Sequence, residues 1–220
     1  MEVRDKLYTF LKEHGAGQVG FCKLDDENSF GLSYAVSYTI PLSEAIVDQI
    51  TDQPTHTYFH HYRSVNSLID HLSLRGGMLL AEYGYKYVPI PASQSVNGLS
   101  GIFSHKYAAV MAGLGSVGKS GLFLSTENGP RVRLGTILTD CPFPDSPAPL
   151  PCPCGDCRLC AKNCPAMAIS GNLWEAGQER DIIIDAHACS QYMKQKFQHI
   201  GRGSVCGICM KVCPIGKNKE

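Results

Sequence analysis

Apolar residues fall at Val3, Leu7, Phe10 and Leu11, the spacing of one helix face, so the chain is expected to open with a helix over residues 2–13. Gly15-Ala16-Gly17 ends it. Residues 19–24 and 34–40 read as strands, and a short helix over 42–50 follows Pro41. Residues 55–83 carry a long helical pattern, as one helix or as two broken near Gly76-Gly77. Residues 85–90, closed by Pro89 and Pro91, read as another strand, and 105–112 fit helix or strand. Runs 122–125 and 131–139, joined across Glu127-Asn128-Gly129, predict a hairpin. Strands and helices without regular βα alternation give an α+β class, with a mixed sheet in the N-terminal domain.

The pattern changes near residue 140. Residues 141–153 hold six prolines in thirteen positions, an extended and semi-rigid connection. The domain boundary is therefore placed at 148/149. Charge divides there too. Residues 1–150 hold 11 Lys+Arg and 14 Asp+Glu, whereas 151–220 hold 9 and 6. The whole chain of 220 residues is neutral, which argues against a generally basic nucleic-acid coat. No apolar run is long enough to span a membrane, and residues 1–6 lack the apolar core of a secretory leader. A cytoplasmic location is expected.

Cysteine is the outlier, with 11 in the chain and nine of them beyond residue 150. In a reducing compartment such clusters are metal ligands or redox groups rather than structural disulfides. Cys154-x2-Cys157-x2-Cys160-x3-Cys164-Pro165 has the spacing of the bacterial ferredoxin run, whose fourth cysteine serves the other cluster. Cys206-x2-Cys209-x3-Cys213-Pro214 repeats it with the first position, Gly203, lacking a thiol. Cys189 is the nearest unused cysteine to make eight. The expected pairing puts Cys154, Cys157, Cys160 and Cys213 on one [4Fe–4S] cluster. Cys164, Cys189, Cys206 and Cys209 take the other. A pair of zinc ribbons is the alternative for Cx2C pairs, with much less specific spacing. Arg158, Lys162, Arg202 and Lys211 offset the clusters' negative charge. Cys22 is expected in the core, and Cys141 and Cys152 without a role.

Gly113-Leu114-Gly115-Ser116-Val117-Gly118-Lys119-Ser120 matches both G-x-G-x-x-G and the P-loop. Either motif requires a helix after it, and the apolar, β-like residues 122–125 before a turn leave no room for one. Nucleotide binding is therefore not expected. His56 and His60, with His61 beside them, form an i,i+4 pair without a spaced third ligand. Tyr58, Tyr62, Tyr83, Tyr85 and Tyr87 are expected in the core or half-buried, though rings also suit the wall of a flat cofactor site.

Ala112-Gly113-Leu114-Gly115-x-x-Gly118-Lys119, then Leu134-Gly135-x-Ile137-Leu138-Thr139-Asp140, then Cys189-Ser190-x-Tyr192 within the cysteine set, resemble the epoxyqueuosine reductase family. Reductive dehalogenases are similar in plan. The resemblance is strongest over 105–213. It implies a two-[4Fe–4S] ferredoxin-like domain beside a cobalamin-binding domain, and a low-potential reduction. It also implies that Gly113, Gly115, Gly118 and Lys119 help bind a cofactor. Family members use an aspartate as proton donor, but here no Asp or Glu lies between Glu82 and Glu127, leaving Tyr, His105 or water. Family members are longer, many with a tRNA-holding extension. This chain runs seven residues past Cys213. The expectation is a reductase fed by a ferredoxin- or flavodoxin-type donor and acting on a small molecule, with cobalamin as a candidate cofactor and tRNA not expected. The alternative is an electron carrier serving a separate corrinoid protein.

Overall fold

The computed structural model describes residues 2–24, 30–96, 98–143, 146–175 and 178–217. Pro144 and Asp145 of the proline connection lie outside them. The chain forms two compact units.

The first unit comprises Met1–Pro41, Val65–Ser116 and Val132–Leu150. Its centre is an antiparallel sheet of β1 (Val19–Lys23), β2 (Tyr34–Pro41), β6 (Val132–Thr139) and β3 (Tyr87–Ile90), in the order β1-β2-β6-β3. β2 and β6 pair along all eight residues, from Tyr34 opposite Thr139 to Pro41 opposite Val132. Both are buried along almost their whole length, so helices cover both faces.

On one face lie α1 (Glu2–Glu13), which buries Val3, Leu7 and Leu11, and the Val65–Glu82 part of α3 (His56–Glu82). Tyr38 points to this side. Its hydroxyl donates to the Ile69 carbonyl at 2.9 Å and meets Ser73 Oγ at 2.8 Å. The other face carries small residues opposite one another, Gly20 with Ser37 and Cys22 with Ala35. They admit α4 (His105–Met111) closely enough for Cys22 Sγ to reach the Ala108 carbonyl at 3.6 Å. Cys22 is a fully buried core residue.

The second unit takes Pro151–Glu220 together with Leu42–Ser64 and Val117–Arg131. It has α2 (Glu44–Val47), the first turns of α3, α5 (Leu159–Lys162), α6 (Ala186–Lys196), α7 (Ile208–Lys211) and two 3-10 turns. β4 (Gly115–Val117) and β5 (Phe123–Ser125) make a second, two-stranded sheet.

Two expectations are corrected, and of the two readings of the long helix the unbroken one holds. Runs 122–125 and 131–139 do not form a hairpin: β5 pairs with β4, and β6 is the inner strand between β2 and β3. The eight residues of β6, nearly all buried, need a neighbour on each edge, which a three-residue β5 cannot supply. The long helix does not break at Gly76-Gly77. These glycines admit neighbours instead, since a Cβ at Gly76 would sit 2.7 Å from Ile137 Cδ1, and one at Gly77 would sit 2.0 Å from the Tyr87 ring. The helix after Pro41 is four residues long, capped by a side chain from α3: the Ser43 backbone N–H donates to His61 Nε2 at 3.0 Å.

Candidate metal centre

The ligand run begins on a loop stitched to the glycine segment. After Gly118 the chain turns within four residues, the Gly118 N–H donating to the Leu122 carbonyl at 2.9 Å and the Gly121 N–H to Gly118 at 2.8 Å. β5 follows directly, so no helix is there to receive a phosphate. Lys119 is 7% exposed, and its Nζ donates to the Gly155 carbonyl at 2.6 Å. Its backbone N–H donates to the Cys154 thiol. Gly113 has φ +70 with Pro147 behind it, a backbone task, and Gly118 packs on Leu124. Of the four residues expected to touch a cofactor, Lys119 therefore meets the cysteine loop through both side chain and backbone.

Cys213 is far from this run in sequence and close in space. Its charge acts on Cys154, and Cys157 and Cys160 act on it. The segment that carries it is clamped by Arg131, which is 2% exposed. Arg131 donates to the carbonyls of Lys211 at 3.3 Å, Cys213 at 3.1 Å and Ile215 at 3.2 Å. Lys211 is held from its other end by Asp48, Nζ to Oδ1 at 2.6 Å and to the backbone carbonyl at 2.9 Å. Gly129 and Gly216 meet backbone to backbone: a Cβ on Gly129 would lie 2.0 Å from the Ile215 carbonyl oxygen.

The remaining thiols form a second neighbourhood. Cys164 acts on Cys189; Cys189 and Cys164 act on Cys206; all three act on Cys209, and so does Cys160. α6 presents Cys189 one turn after its N-cap Asp185, whose carboxylate accepts the Ala188 N–H at 2.9 Å. The loop before Cys206 is seated on aromatic side chains of α3. Gly201 faces Phe59, and Gly207 lies against Tyr58 and Ile50.

Burial dominates the thiol chemistry. It pushes Cys154 up to about 12, against the pull of the Lys119 N–H, and Cys206 up to about 11, against the Ile208 N–H. Burial also raises Cys160, Cys189, Cys209 and Cys213. Eleven free cysteines and no disulfide are present among the described residues. Metal binding requires thiolates, so loading such a site releases protons. No three His, Cys, Asp or Glu side chains among the described residues converge to hold a single ion. Half-buried thiols drawn from Cys154–Cys164, Cys189 and Cys206–Cys213 have the donor chemistry of iron–sulfur cubes.

Residues 153–216 match the 4Fe-4S double cluster binding domain. The epoxyqueuosine reductase of Staphylococcus aureus is 36% identical over 120 residues, 52% of this chain and 30% of that protein. The chain is an iron–sulfur protein related to epoxyqueuosine reductases and reductive dehalogenases. The likeness in fold extends further than the likeness in sequence. A reductive dehalogenase structure that suggests a mechanism for B12-dependent dehalogenation matches with a TM-score of 0.78 at 21% identity, covering 96% of this chain and 31% of that one. An epoxyqueuosine reductase solved with an epoxyqueuosine-modified tRNA-Tyr stem loop matches with a TM-score of 0.62 at 18% identity, over 100% of this chain and 66% of that one. The chain thus spans about a third of the length of the first curated relative. The expectation that tRNA is not a partner finds no support, since one neighbour in fold is a tRNA complex. No helix among the described residues is long and apolar enough to cross a membrane.

The other candidates have structural work. His105, expected as a proton source, is enclosed: Nδ1 meets Thr136 Oγ1 at 2.8 Å and Nε2 meets the Pro91 carbonyl at 3.0 Å. A carbonyl accepts only, so Nε2 carries the proton. Burial lowers the His105 pKa, which keeps the ring neutral. His61 accepts from Ser43, and no third ligand joins His56 and His60 among the described residues. Cys141 is buried against the Tyr85 hydroxyl. Sequence reasoning missed Arg131, Asp48, Tyr58 and Phe59 as supports of the site. A single charge or ring has no diagnostic spacing to reveal it.

Proposed function

We propose that the chain is an iron–sulfur oxidoreductase, carrying electrons from a ferredoxin- or flavodoxin-type donor to an acceptor. Cys154, Cys157, Cys160 and Cys213 hold one [4Fe–4S] cluster; Cys164, Cys189, Cys206 and Cys209 hold the other. The observation that supports this reading is that thiols remote in sequence act on one another, Cys213 on Cys154 and Cys164 with Cys189 on Cys206 and Cys209. Bound clusters supply one-electron transfer at potentials from roughly −700 to +450 mV. The chain's own residues position the ligands. Lys119 fixes the Cys154 loop, Arg131 and Asp48 fix the Cys213 loop, and Tyr58 and Phe59 seat the Cys206 loop.

Cobalamin is the acceptor that the B12-dependent neighbour suggests. In the sheet-bearing unit a cavity of about 250 Å³ is lined by Arg4, Tyr8, Val19, Gly20, Phe21, Ala112 and Pro147. Small-ligand pockets run to roughly 300–1,000 Å³, so a corrin does not fit inside this one. A second reading is an electron carrier that serves a separate corrinoid partner, and this cavity, too small for a corrin, is consistent with it.

One experiment tests both readings. The protein is purified anaerobically, incubated with cobalamin and gel-filtered, then assayed for iron, zinc and cobalt. About eight irons per chain are expected from two cubes. Bound cobalt would identify a corrinoid reductase, and its absence a carrier or a reductase with another acceptor. A colourless protein with zinc and no iron would overturn the iron–sulfur reading.

A further inference from the structure

The two groups of thiols differ in the charges beside them. At the Cys154 group lie two cations, Lys119 at 7% and Arg131 at 2% exposure. Both spend their donors on carbonyls of the ligand loops, at Gly155, Lys211, Cys213 and Ile215. Among the described residues no carboxylate lies within ion-pair distance of either. Asp48, which feels Arg131, is paired with Lys211 at 2.6 Å. Carbonyl dipoles solvate these charges without cancelling them. At the Cys164 group a fixed charge of opposite sign acts on Cys189: Asp185, at the start of α6 and one turn away.

Reduction adds one electron to a cluster, with no bond made or broken. A buried cation stabilises the more negative state, and burial protects that effect from water and salt. A carboxylate does the reverse. We propose that Lys119 and Arg131 set the cluster of Cys154, Cys157, Cys160 and Cys213 at the higher potential of the two, so that an electron entering either cluster comes to rest there. Lys119 and Arg131 are positioning residues, not ligands. This inference rests on the two-cluster reading and gives it a direction.

The test is an anaerobic redox titration followed by EPR on the iron-loaded full chain, with dithionite as reductant. Iron is counted first in every sample. Fewer than about eight irons in the unaltered protein would overturn the two-cluster reading itself. With eight, two one-electron waves are expected. K119Q and R131Q should each lower the more positive wave by about tenfold in its equilibrium constant, equal to about 59 mV. R131K, which keeps the charge, should restore most of the shift. D185N, at the other group, should raise the more negative wave. The inference is overturned if K119Q and R131Q move the more negative wave, or leave both in place at full iron content. It is also overturned if R131Q merely loses four irons while K119Q shifts nothing, since Arg131 would then hold Cys213 alone.

Discussion

In the sheet unit, β2 and β6 pair over eight residues each and bury nearly every side chain, whereas in the cysteine unit α5 and α6 bury none. The sheet unit is held by ordinary means: long strands, two covered faces and small residues where α4 must come close. The cysteine unit has short helices and 3-10 turns beside α6, a small core around Phe197, Ile200 and Ile208, and side-chain clamps on the cysteine loops. Small metal-bound domains commonly derive their folding energy from the metal. The difference teaches that the sheet unit has regular secondary structure to hold it, while the cysteine unit leans more on irregular loops around its buried residues and on the ligands it is proposed to hold.

Removing iron should therefore break the comparison most sharply. Chelation under argon should release amide protection across residues 151–217, while amides of β2 and β6 remain protected in hydrogen exchange. Equal loss in both units would show that the sheet unit also depends on the metal. Gly129→Ala comes next. It forces a side chain onto the Ile215 carbonyl and sits at φ +54, so the cysteine unit should lose about 3–5 kcal/mol. Iron content of the purified variant should fall with it. Gly135→Ala is the matching change in the sheet, where the new Cβ would lie 2.2 Å from the Tyr38 ring. Its cost should be about 1–3 kcal/mol, with iron content unaltered. Both are read by thermal melts of the loaded protein.

Most of the sheet unit was legible in the chain. The helix over 2–13 and the strands β1 and β2 stand out because their periodicities are local. The place of β6 was not legible, since its partners are set by pairing with residues about a hundred positions away, and the turn at Glu127-Asn128-Gly129 suggested a nearer one. Gly76-Gly77 reads as a break because glycine is a poor helix former. Only the structure shows that Ile137 and Tyr87 occupy the space the glycines leave. In the cysteine unit the double-cluster domain was legible from the cysteine spacing. Its supports were not, because Arg131 and Asp48 act through single contacts between distant segments.

Smaller effects sharpen the same contrast. Tyr38→Phe should cost the sheet unit about 1 kcal/mol, because Ser73 remains able to bond the Ile69 carbonyl in place of the lost hydroxyl. The smallest effect is one of pH. Burial lowers the pKa of His105 in the sheet unit and His61 in the cysteine unit below the ordinary 6.5. The unfolded chain then takes the proton first, so stability present above 6.5 is lost as pH falls toward the folded values. Melting temperature should drop between pH 7 and 5.5, and less steeply in His105→Gln. A flat profile in the unaltered protein would refute it.

The clamp of Arg131 also imposes an order of events on a growing chain. Its acceptors lie 80 to 84 residues downstream, so the guanidinium is made long before anything can receive it. Closing so long a loop carries an entropy cost that grows only slowly with length. The delay matters more than that cost. Sheet strands through β6 can pair during synthesis, while, on the proposed pairing, a cluster at Cys154, Cys157 and Cys160 would wait for residue 213 to complete its ligands. Maturation of that cluster would then be a late step, open to competition from oxygen and from stray metal until the last thiol arrives.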